Sequence, residues 1–288
     1  MANIKDLKKK IRSTNSTLKI TTAMKLVSAA KLNKAQQAIN NARPYVEELS
    51  QMVFTISALL KDHTHAFLQE RENNRAILLV VSSNKGLCGG YNSQLVKKVR
   101  SFLSESERDF QVFFIGKKGR DVLKEQVNYK ETFSFSSWPP AFEEIKKMGE
   151  ALCHFFESKE VGGVYMAYNE FRSAISFTPT VKKILPMVLD PSMKEKYAQK
   201  YPFDFKYEPD AEHILNNLIP EAYISTIHMG ILSALAAEHG ARMSAMDNAT
   251  RNSKEIIRNL TLKMNKLRQA SITTELMEVI SGAESLES

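Results

Sequence analysis

The sequence predicts a mixed fold: two long terminal helices that form an antiparallel coiled coil, and a central α/β domain with a mostly parallel sheet. Three observations predict this fold. No proline follows Pro220, and apolar residues recur at helical spacing to the end of the chain. No glycine precedes Gly86, and the first sixty residues show the same spacing. Between these ends, short apolar runs alternate with amphipathic segments.

The C-terminal segment, residues 213–288, is predicted to be a single helix. At about 1.5 Å per residue it would be roughly 100 Å long. A helix of this length cannot be buried in a domain of this size, so it must pair with another helix or project into a partner. Its apolar residues at helical spacing are Ile224, Ile227, Ile231, Leu235, Ile256, Leu260, Met264 and Leu267.

The N-terminal segment, residues 1–60, is predicted to be a second long helix with an apolar seam at Ile4, Leu7, Ile11 and Leu18. Pro44 is expected to bend this helix or to stop it locally. Neither terminal helix carries a core of its own, so antiparallel pairing of the two is the simplest solution. Two unrelated surface helices are the alternative.

The middle of the chain, residues 74–190, is predicted to be an α/β domain, because strands alternate with helices. A polar, proline-rich loop at 191–212 leads back to the last helix. The predicted strands are Ala76–Val81, Gln111–Ile115, Val161–Tyr168 and Ser176–Leu189. The predicted helices are Asn92–Leu103, Arg120–Glu125 and Phe142–Ser158.

The net charge of +8 is concentrated at the N-terminus, where residues 1–34 hold nine Lys or Arg against Asp6 alone. Such a stripe favours an acidic protein, nucleic acid or an anionic membrane. No run of about eighteen apolar residues occurs, so no membrane span is expected. The N-terminus lacks an apolar signal core, although an organelle transit peptide has a similar basic, amphipathic composition. Two cysteines, Cys88 and Cys153, indicate a reducing compartment.

The glycine-rich stretch Ser82–Asn92 is the most tempting candidate for a phosphate site, because it follows a strand and precedes a helix. It lacks the Gly-Lys-Ser/Thr of a P-loop and the glycine spacing of a dinucleotide fingerprint. We therefore predict a tight structural turn that needs glycine dihedral angles. A nucleophilic Cys88 is the alternative, although no histidine is near it in the sequence.

Other classes of site receive little support from the sequence. The six histidines form no His-x-x-x-His pair, and no Cys-x-x-Cys occurs, so no metal site is expected. The basic turn Gly116–Arg120 is interpreted as solvated. The basic N-terminal helix interleaves Ser, Thr and Ala rather than aromatic residues, and no helix-turn-helix or RNP motif is present, so nucleic acid is not an expected partner. A nucleotide-binding enzyme and a nucleic-acid binder remain the rival classes.

Four blocks of sequence resemble the gamma-subunit family of F-type ATP synthases. Residues 11–32 (IRSTNSTLKITTAMKLVSAAKL) are similar to its opening helix, and Ser83–Asn92 (SNKGLCGGYN) to its middle-domain motif. Glu238–Thr250 (EHGARMSAMDNAT) and Arg268–Glu278 (RQASITTELME) are similar to its C-terminal blocks. The blocks occur in the family's order and cover both ends and the middle of the chain.

The resemblance implies a central rotor shaft that couples proton-driven rotation of the membrane ring to ATP synthesis. In this family the terminal helices form a coiled coil inside a hexamer of alpha and beta subunits. The α/β domain lies beside the epsilon subunit and the ring of c subunits. Catalytic sites belong to the beta subunits, so no catalytic, cofactor-binding or metal-binding residues are expected in this chain, and no direct membrane insertion.

By position in these blocks, the resemblance implies that Met24, Lys25, Arg268, Gln269 and Thr273 contact the hexamer. It likewise implies that Tyr207 and Glu208 contact the c ring and the epsilon subunit. The chloroplast regulatory insertion with its cysteine pair is not evident, so thiol regulation is not expected. The family's opening residues come first in the sequence, which favours a bacterial source and a peripheral location on the cytoplasmic face of the plasma membrane.

Overall fold

The computed structural model describes residues 4–59, 65–187 and 206–287. They divide into two compact units, Met1–Ser28 with Met243–Ser288 and Ala29–Arg242. We call the first the shaft unit and the second the sheet unit. Most of the predicted 191–212 loop, residue 60 and the last residues of the predicted central domain (188–190) lie outside the described residues.

The two terminal helices are α1, Ile4–Leu59, and α5, Ala211–Glu287. Of the two outcomes expected at Pro44, a bend or a local stop, the stop does not occur, because α1 continues through this residue. Leu49 and Val53, which follow Pro44, are buried in the core of the sheet unit. This packing offsets the backbone hydrogen bond that proline cannot donate.

Within the shaft unit, α1 and α5 form an antiparallel pair, as predicted. The Thr250 hydroxyl donates to the Thr21 hydroxyl at 2.9 Å, and Lys25 Nζ lies 2.5 Å from Asp247 Oδ1. A step forward along α1 is therefore a step back along α5. Buried and half-buried positions recur at alternating steps of three and four, as in a coiled coil. In α1 they are Leu7, Ile11, Thr14, Leu18 and Thr21, and in α5 Met246, Thr250, Ser253, Ile257, Leu260, Met264 and Leu267.

The sheet of the second unit has five strands in the order β3-β2-β1-β4-β5. All neighbours are parallel except β4 and β5, which form an antiparallel hairpin. This confirms the mostly parallel sheet. The strands are β1 Arg75–Val81, β2 Asp109–Ile115, β3 Asn128–Phe133, β4 Gly163–Ser173 and β5 Ser176–Leu185. The helices between them are α2 Tyr91–Glu105, α3 Lys117–Leu123 and α4 Phe142–Glu157, and a short 3-10 turn covers Ala66–Leu68.

Helices cover both faces of this sheet, which explains the continuous apolar run in β1. Ile77, Leu79 and Val81 face one cluster with α4 and the parts of α1 and α5 that belong to the sheet unit. Ala76, Leu78 and Val80 face the other cluster with α2 and α3. The α5 residues buried in the first cluster include Leu215, Ile219, Tyr223, Ile227 and Ile231. This part of α5 is a core helix.

Three details differ from the expectations. Strand β3 was not predicted, because four of its six residues are exposed and polar or aromatic, as at a sheet edge. Helix α3 begins at Lys117, so the basic turn after β2 is helical rather than a solvated turn. In the shaft unit, Ile257 rather than Ile256 faces the partner helix, and Ile256 is 49% exposed. The seam runs from Ser253 by four residues to Ile257 and by three to Leu260, which leaves Ile256 outside it.

Candidate functional site

The glycine-rich stretch is a tight turn between β1 and α2, as predicted. Leu87 and Gly89 have positive φ angles of 61° and 56°. The Asn92 side chain closes the turn, because its Oδ1 accepts from the backbone N–H of Ser83 at 3.2 Å and its Nδ2 donates to Ser83 Oγ at 2.8 Å. The Ser83 hydroxyl donates in turn to the carbonyl of Lys85 at 2.8 Å. The polar groups of the turn are therefore used to hold its own shape.

Cys88 lies inside this turn and is 2% exposed. Asn92 Nδ2 lies 3.2 Å from its sulfur. Burial raises the pKa of the Cys88 thiol above its ordinary value, although Ser83 and Arg242 partly oppose the shift. A neutral, buried thiol is a poor nucleophile. The geometry supports the structural interpretation of Cys88.

An ion pair on α5 holds the glycine-rich turn in place. The sequence alone did not reveal this role. Arg242 Nη2 lies 2.8 Å from Glu238 Oε1, and both side chains are less than 10% exposed. The same guanidinium donates to the carbonyls of Lys85 at 3.1 Å and Gly86 at 3.3 Å. This clamp fixes α5 to the end of β1. Its sequence signal was an acid and a base four residues apart on a helix that is otherwise small and apolar.

The crevice where open parallel sheets commonly bind ligands is filled by the chain's own side chains. It lies between β1 and β4, where the strand order reverses. Tyr91 is buried there with Ala237, and Phe171 and Phe177 pack against them. The Tyr91 hydroxyl donates to the carbonyl of Ala234 at 3.1 Å, and Asn169 Nδ2 donates to the carbonyl of Tyr91 at 2.9 Å. No nucleotide can enter this crevice without displacing α5.

In the ranges that the structure describes, no three His, Cys, Asp or Glu side chains are close enough together to hold a metal ion. Two histidines of α5, His239 beside Arg242 and His228 beside Phe142, are examples. His239 is buried, and burial together with Arg242 lowers its pKa to about 4. Burial also lowers the pKa of His228. The His239 ring is therefore a packed, neutral group at physiological pH.

The predicted hexamer-contact residues all lie in the shaft unit, at two different places. Met24 and Lys25 are half-buried on α1, and the Lys25 ammonium is paired with Asp247. The pair lowers the pKa of Asp247, with the Lys25 hydrogen bond as the main cause. Arg268 and Gln269 are exposed on α5. Thr273 is exposed too, and its hydroxyl donates to the carbonyl of Gln269 at 2.9 Å.

Helix α5 extends past the start of α1. Because Thr21 lies beside Thr250 in an antiparallel pair, Ile4 lies opposite the region of Leu267. From Arg268 to Ser281 every residue is exposed in the part of the chain that the structure describes. We call this stretch the overhang. Its exposed large apolar residues are Ile272, Leu276, Met277, Val279 and Ile280, each at least 50% exposed.

Comparison with known proteins identifies the family. The ATP synthase family model matches residues 3–286. The ATP synthase gamma chain of Geobacter metallireducens is 38% identical over 294 residues, which cover all of both chains. The gamma chain of Desulfitobacterium hafniense is 38% identical over 288 residues, again covering both chains completely.

This chain belongs to the ATP synthase gamma-chain family. The finding confirms the resemblance carried by the four sequence blocks and the role of a central rotor shaft in an F-type ATP synthase.

Solved structures show the same fold. One is a chain of the Euglena gracilis mitochondrial ATP synthase, OSCP/F1/c-ring, in rotational state 3. Its TM-score is 0.66 at 18% identity, with 98% of this chain and 94% of that chain covered. Another comes from the central stalk and c-ring of the Tetrahymena thermophila mitochondrial ATP synthase. Its TM-score is 0.61 at 23% identity, with coverage of 80% and 99%.

Tyr207 and Glu208, the residues of this gamma-chain family member that are predicted to contact the c ring and the epsilon subunit, lie just before α5. Glu208 forms an exposed ion pair with Lys206, with Nζ and Oε1 2.8 Å apart. Tyr207 packs against the core of the sheet unit and lines a cavity of about 350 Å³ with Met52, Ile56 and Ile214. Glu208 is thus exposed, and Tyr207 is partly built into the unit.

The apolar composition of α5 bears on the expectation that no segment spans a membrane. Helix α5 contains a stretch that is long and apolar enough to span a membrane by length and composition alone. That stretch is 61% buried inside the protein. Its apolar residues are those of a helix that lies in a protein core, so this family member has a core helix where composition alone would allow a membrane helix.

Proposed function

We propose that this chain is the non-catalytic central shaft of a proton-translocating ATP synthase, and that it couples rotation of the membrane ring to ATP synthesis at the beta subunits. Membership in the gamma-chain family supports the assignment to the complex. The filled crevice, the neutral Cys88 and the structural glycine-rich turn support the absence of catalysis in this chain. Its partners are the alpha and beta subunits, the epsilon subunit and the c ring.

The antiparallel pair of the shaft unit is the observation that carries the proposal. A single helix twists and bends easily, whereas two helices joined side by side resist torsion. Here the join includes a hydrogen bond at Thr21–Thr250 and an ion pair at Lys25–Asp247. Different side chains face outward at different angles around the pair. Each angular position therefore favours a different conformation of each beta subunit through differential contacts.

We place the hexamer contact at the overhang and at Met24 and Lys25. The overhang exposes five large apolar side chains. A cluster of exposed apolar side chains of this kind indicates a surface that contacts another protein. Arg268 and Gln269 stand at its start and offer guanidinium and amide donors to loops of a surrounding subunit. The Lys25 side chain is 42% exposed beside Asp247, and only this exposed part is available to the partner subunits.

We place the contact to the ring and the epsilon subunit at Tyr207 and Glu208, and the complex on the cytoplasmic face of a bacterial plasma membrane. Glu208 is 78% exposed and available to a basic partner. The relatives named above are bacterial gamma chains. The two described cysteines are free and buried, as suits a reducing compartment.

The test is a disulfide across the shaft unit. Thr21→Cys with Thr250→Cys places two thiols where the two hydroxyls now touch at 2.9 Å. We expect oxidation to join them in the purified complex, while ATP hydrolysis and ATP-driven proton pumping continue, because both helices belong to one rotating body. Thr21→Cys alone is the matched control. Native mass measurement of the tagged complex should show the hexamer, the epsilon subunit and the ring.

Two results would contradict the proposal. In one, ATP hydrolysis by the double variant, but not by the single-cysteine control, stops on oxidation and returns on reduction. The two helices would then have to separate during the catalytic cycle. The other is a tagged chain that purifies without alpha and beta subunits.

A further inference from the structure

A cleft outside the family's shaft helices opens at the carboxyl edge of the sheet. Its volume is about 440 Å³. Val81 pairs with Ile115, and Ile115 with Phe133, so β1, β2 and β3 end at one level. Open parallel sheets bind ligands at this edge. The residues that line the cleft lie at or just after these three strand ends: Asn84, Lys85, Ile115, Gly116, Lys117, Arg120 and the segment 132–138.

Three basic residues are among those that line this cleft. Lys85 follows β1, and Lys117 and Arg120 follow β2. No Asp or Glu is among the described residues that line it. Two carboxylates are near. Asp121 Oδ1 lies 2.7 Å from Arg120 Nη2, and Glu144 Oε1 accepts a hydrogen bond from the backbone N–H of Ser136 at 2.9 Å. The cleft therefore carries excess positive charge in a half-enclosed space, which favours a multivalent anion.

The backbone that carries the cations is fixed by hydrogen bonds. The N–H of Lys118 donates to the carbonyl of Ser83 at 3.0 Å, and the N–H of Gly119 donates to Ser82 Oγ at 2.9 Å. Gly116 has a φ of 88°, and a Cβ there would collide with the backbone of Ser82. These bonds use the amides of Lys118 and Gly119, the second and third of α3. We therefore assign the contacts to an anion in the cleft to the three basic side chains.

The opposite wall of the cleft is aromatic. Phe133, Phe135 and Trp138 line it and are half-buried, and the rings of Phe135 and Trp138 lie 6.4 Å apart. All three pack against the core of the sheet unit, which holds the wall in place. Ser134, Ser136 and Ser137 also line the cleft and add polar groups to it. Aromatic faces beside cations suit a ligand with a planar ring at one end and phosphates at the other.

We propose that this cleft binds a nucleotide, with its phosphates on Lys85, Lys117 and Arg120 and its base on the aromatic wall. The site holds the nucleotide without hydrolysing it, because no Asp, Glu or His among the described residues lines the cleft to activate a water. It is separate from the filled crevice between β1 and β4.

The experiment uses the isolated full chain, so that beta-subunit sites are absent. Trp138 is the chain's one tryptophan and lies in the cleft, so its fluorescence reports occupancy. ADP, ATP, pyrophosphate and adenosine are titrated separately, with equilibrium dialysis to exclude optical artefacts. We expect saturable binding of ADP and ATP, weaker binding of pyrophosphate and weakest binding of adenosine. Raising the salt concentration should weaken binding of the charged ligands.

Charge-removing variants assign the binding to the cleft. Lys117→Gln with Arg120→Gln should weaken ADP binding at least about tenfold, because two charge-assisted contacts disappear. Lys97→Gln with Lys98→Gln on exposed positions of α2 is the matched control and should leave binding unchanged. If the first variant fails to fold by circular dichroism, Lys85→Gln replaces it, with an expected loss of about threefold or more.

Absence of saturable ADP binding to the unmodified chain would overturn the proposal, as would equal affinity in the charge-removing variant. Pyrophosphate that binds as tightly as ADP would overturn the nucleotide assignment. None of these results bears on the shaft function, which is measured by hydrolysis and pumping in the assembled complex.

Discussion

The buried Glu238–Arg242 pair allows a quantitative prediction for Arg242→Leu. The substitution removes the guanidinium that neutralises Glu238 and that donates to the carbonyls of Lys85 and Gly86. Leucine leaves a carboxylate with less than 10% exposure and without its ion-pair partner. Breaking a buried pair from one side costs about 3–5 kcal/mol. We expect the sheet unit to lose stability of this order.

The loss should depend on pH in a defined direction. Burial raises the pKa of Glu238 above its ordinary value of 4.5, and Arg242 partly opposes the shift. Without Arg242 the pKa rises further. The folded state then binds the proton more tightly than the unfolded state, so the variant loses stability as pH rises from about 4.5 through the raised pKa. Arg242→Leu should therefore be less destabilised at pH 5 than at pH 8.

Urea unfolding of the isolated chain, followed by Trp138 fluorescence, measures this effect, since Trp138 lies in the same unit. Arg172→Leu is the matched control. Its ion pair with Glu170 has an arginine side chain that is 58% exposed, so the loss should stay below about 1 kcal/mol. Glu238→Leu with Arg242→Leu should recover a large part of the loss. A single variant within about 1 kcal/mol of the unmodified chain, or a double variant as unstable as the single one, would refute the reasoning.

Three further predictions concern the turn and the overhang. Gly89→Val should destabilise the chain by about 1–3 kcal/mol in the same urea assay, because φ is 56° there. Gly90→Ala, where φ is −80°, should cost less, and equal losses would contradict this account. Cys88→Ala should leave ATP hydrolysis by the assembled complex largely unchanged, and loss of hydrolysis with normal assembly would revive a catalytic thiol. Arg268→Leu with Gln269→Leu should leave the fold unchanged, because both residues are exposed, but should lower assembly, ATP hydrolysis or proton pumping. Normal values of all three would place the coupling contacts elsewhere on the shaft.

The sequence predicted best where one physical demand dominates a segment. Strand β1 is buried on both faces, so its apolar run needed no tertiary information. The terminal helices were evident from spacing and from the scarcity of glycine and proline. Strand β3 was missed because an edge strand with an exposed face carries no apolar signature. The antiparallel direction of β5 was not predicted either, because direction depends on the two-residue connection to β4 rather than on composition.

The candidate site was predicted in part. A tight turn with glycine dihedral angles was expected from the glycine-rich stretch, and Gly89 has a positive φ there. The clamp on that turn was not expected, because Arg242 is 156 residues away from Gly86 and only the fold brings them together. The basic turn after β2 was interpreted as solvated for the same reason. Its neighbours across the cleft, Phe135 and Trp138, follow a strand that the sequence did not reveal.

The polar residues in the shaft unit's seam explain how the two helices can work as one shaft. Thr21 and Thr250 are less than 10% exposed and bond to each other, where leucine would give more apolar burial. A buried polar pair in a coiled coil costs stability but fixes register, because a shifted helix would leave both hydroxyls unpaired. Lys25 and Asp247 lie one turn away and favour the same register. Torque on either helix is resisted by these bonds, so the outward-facing side chains keep their angular positions as the pair turns.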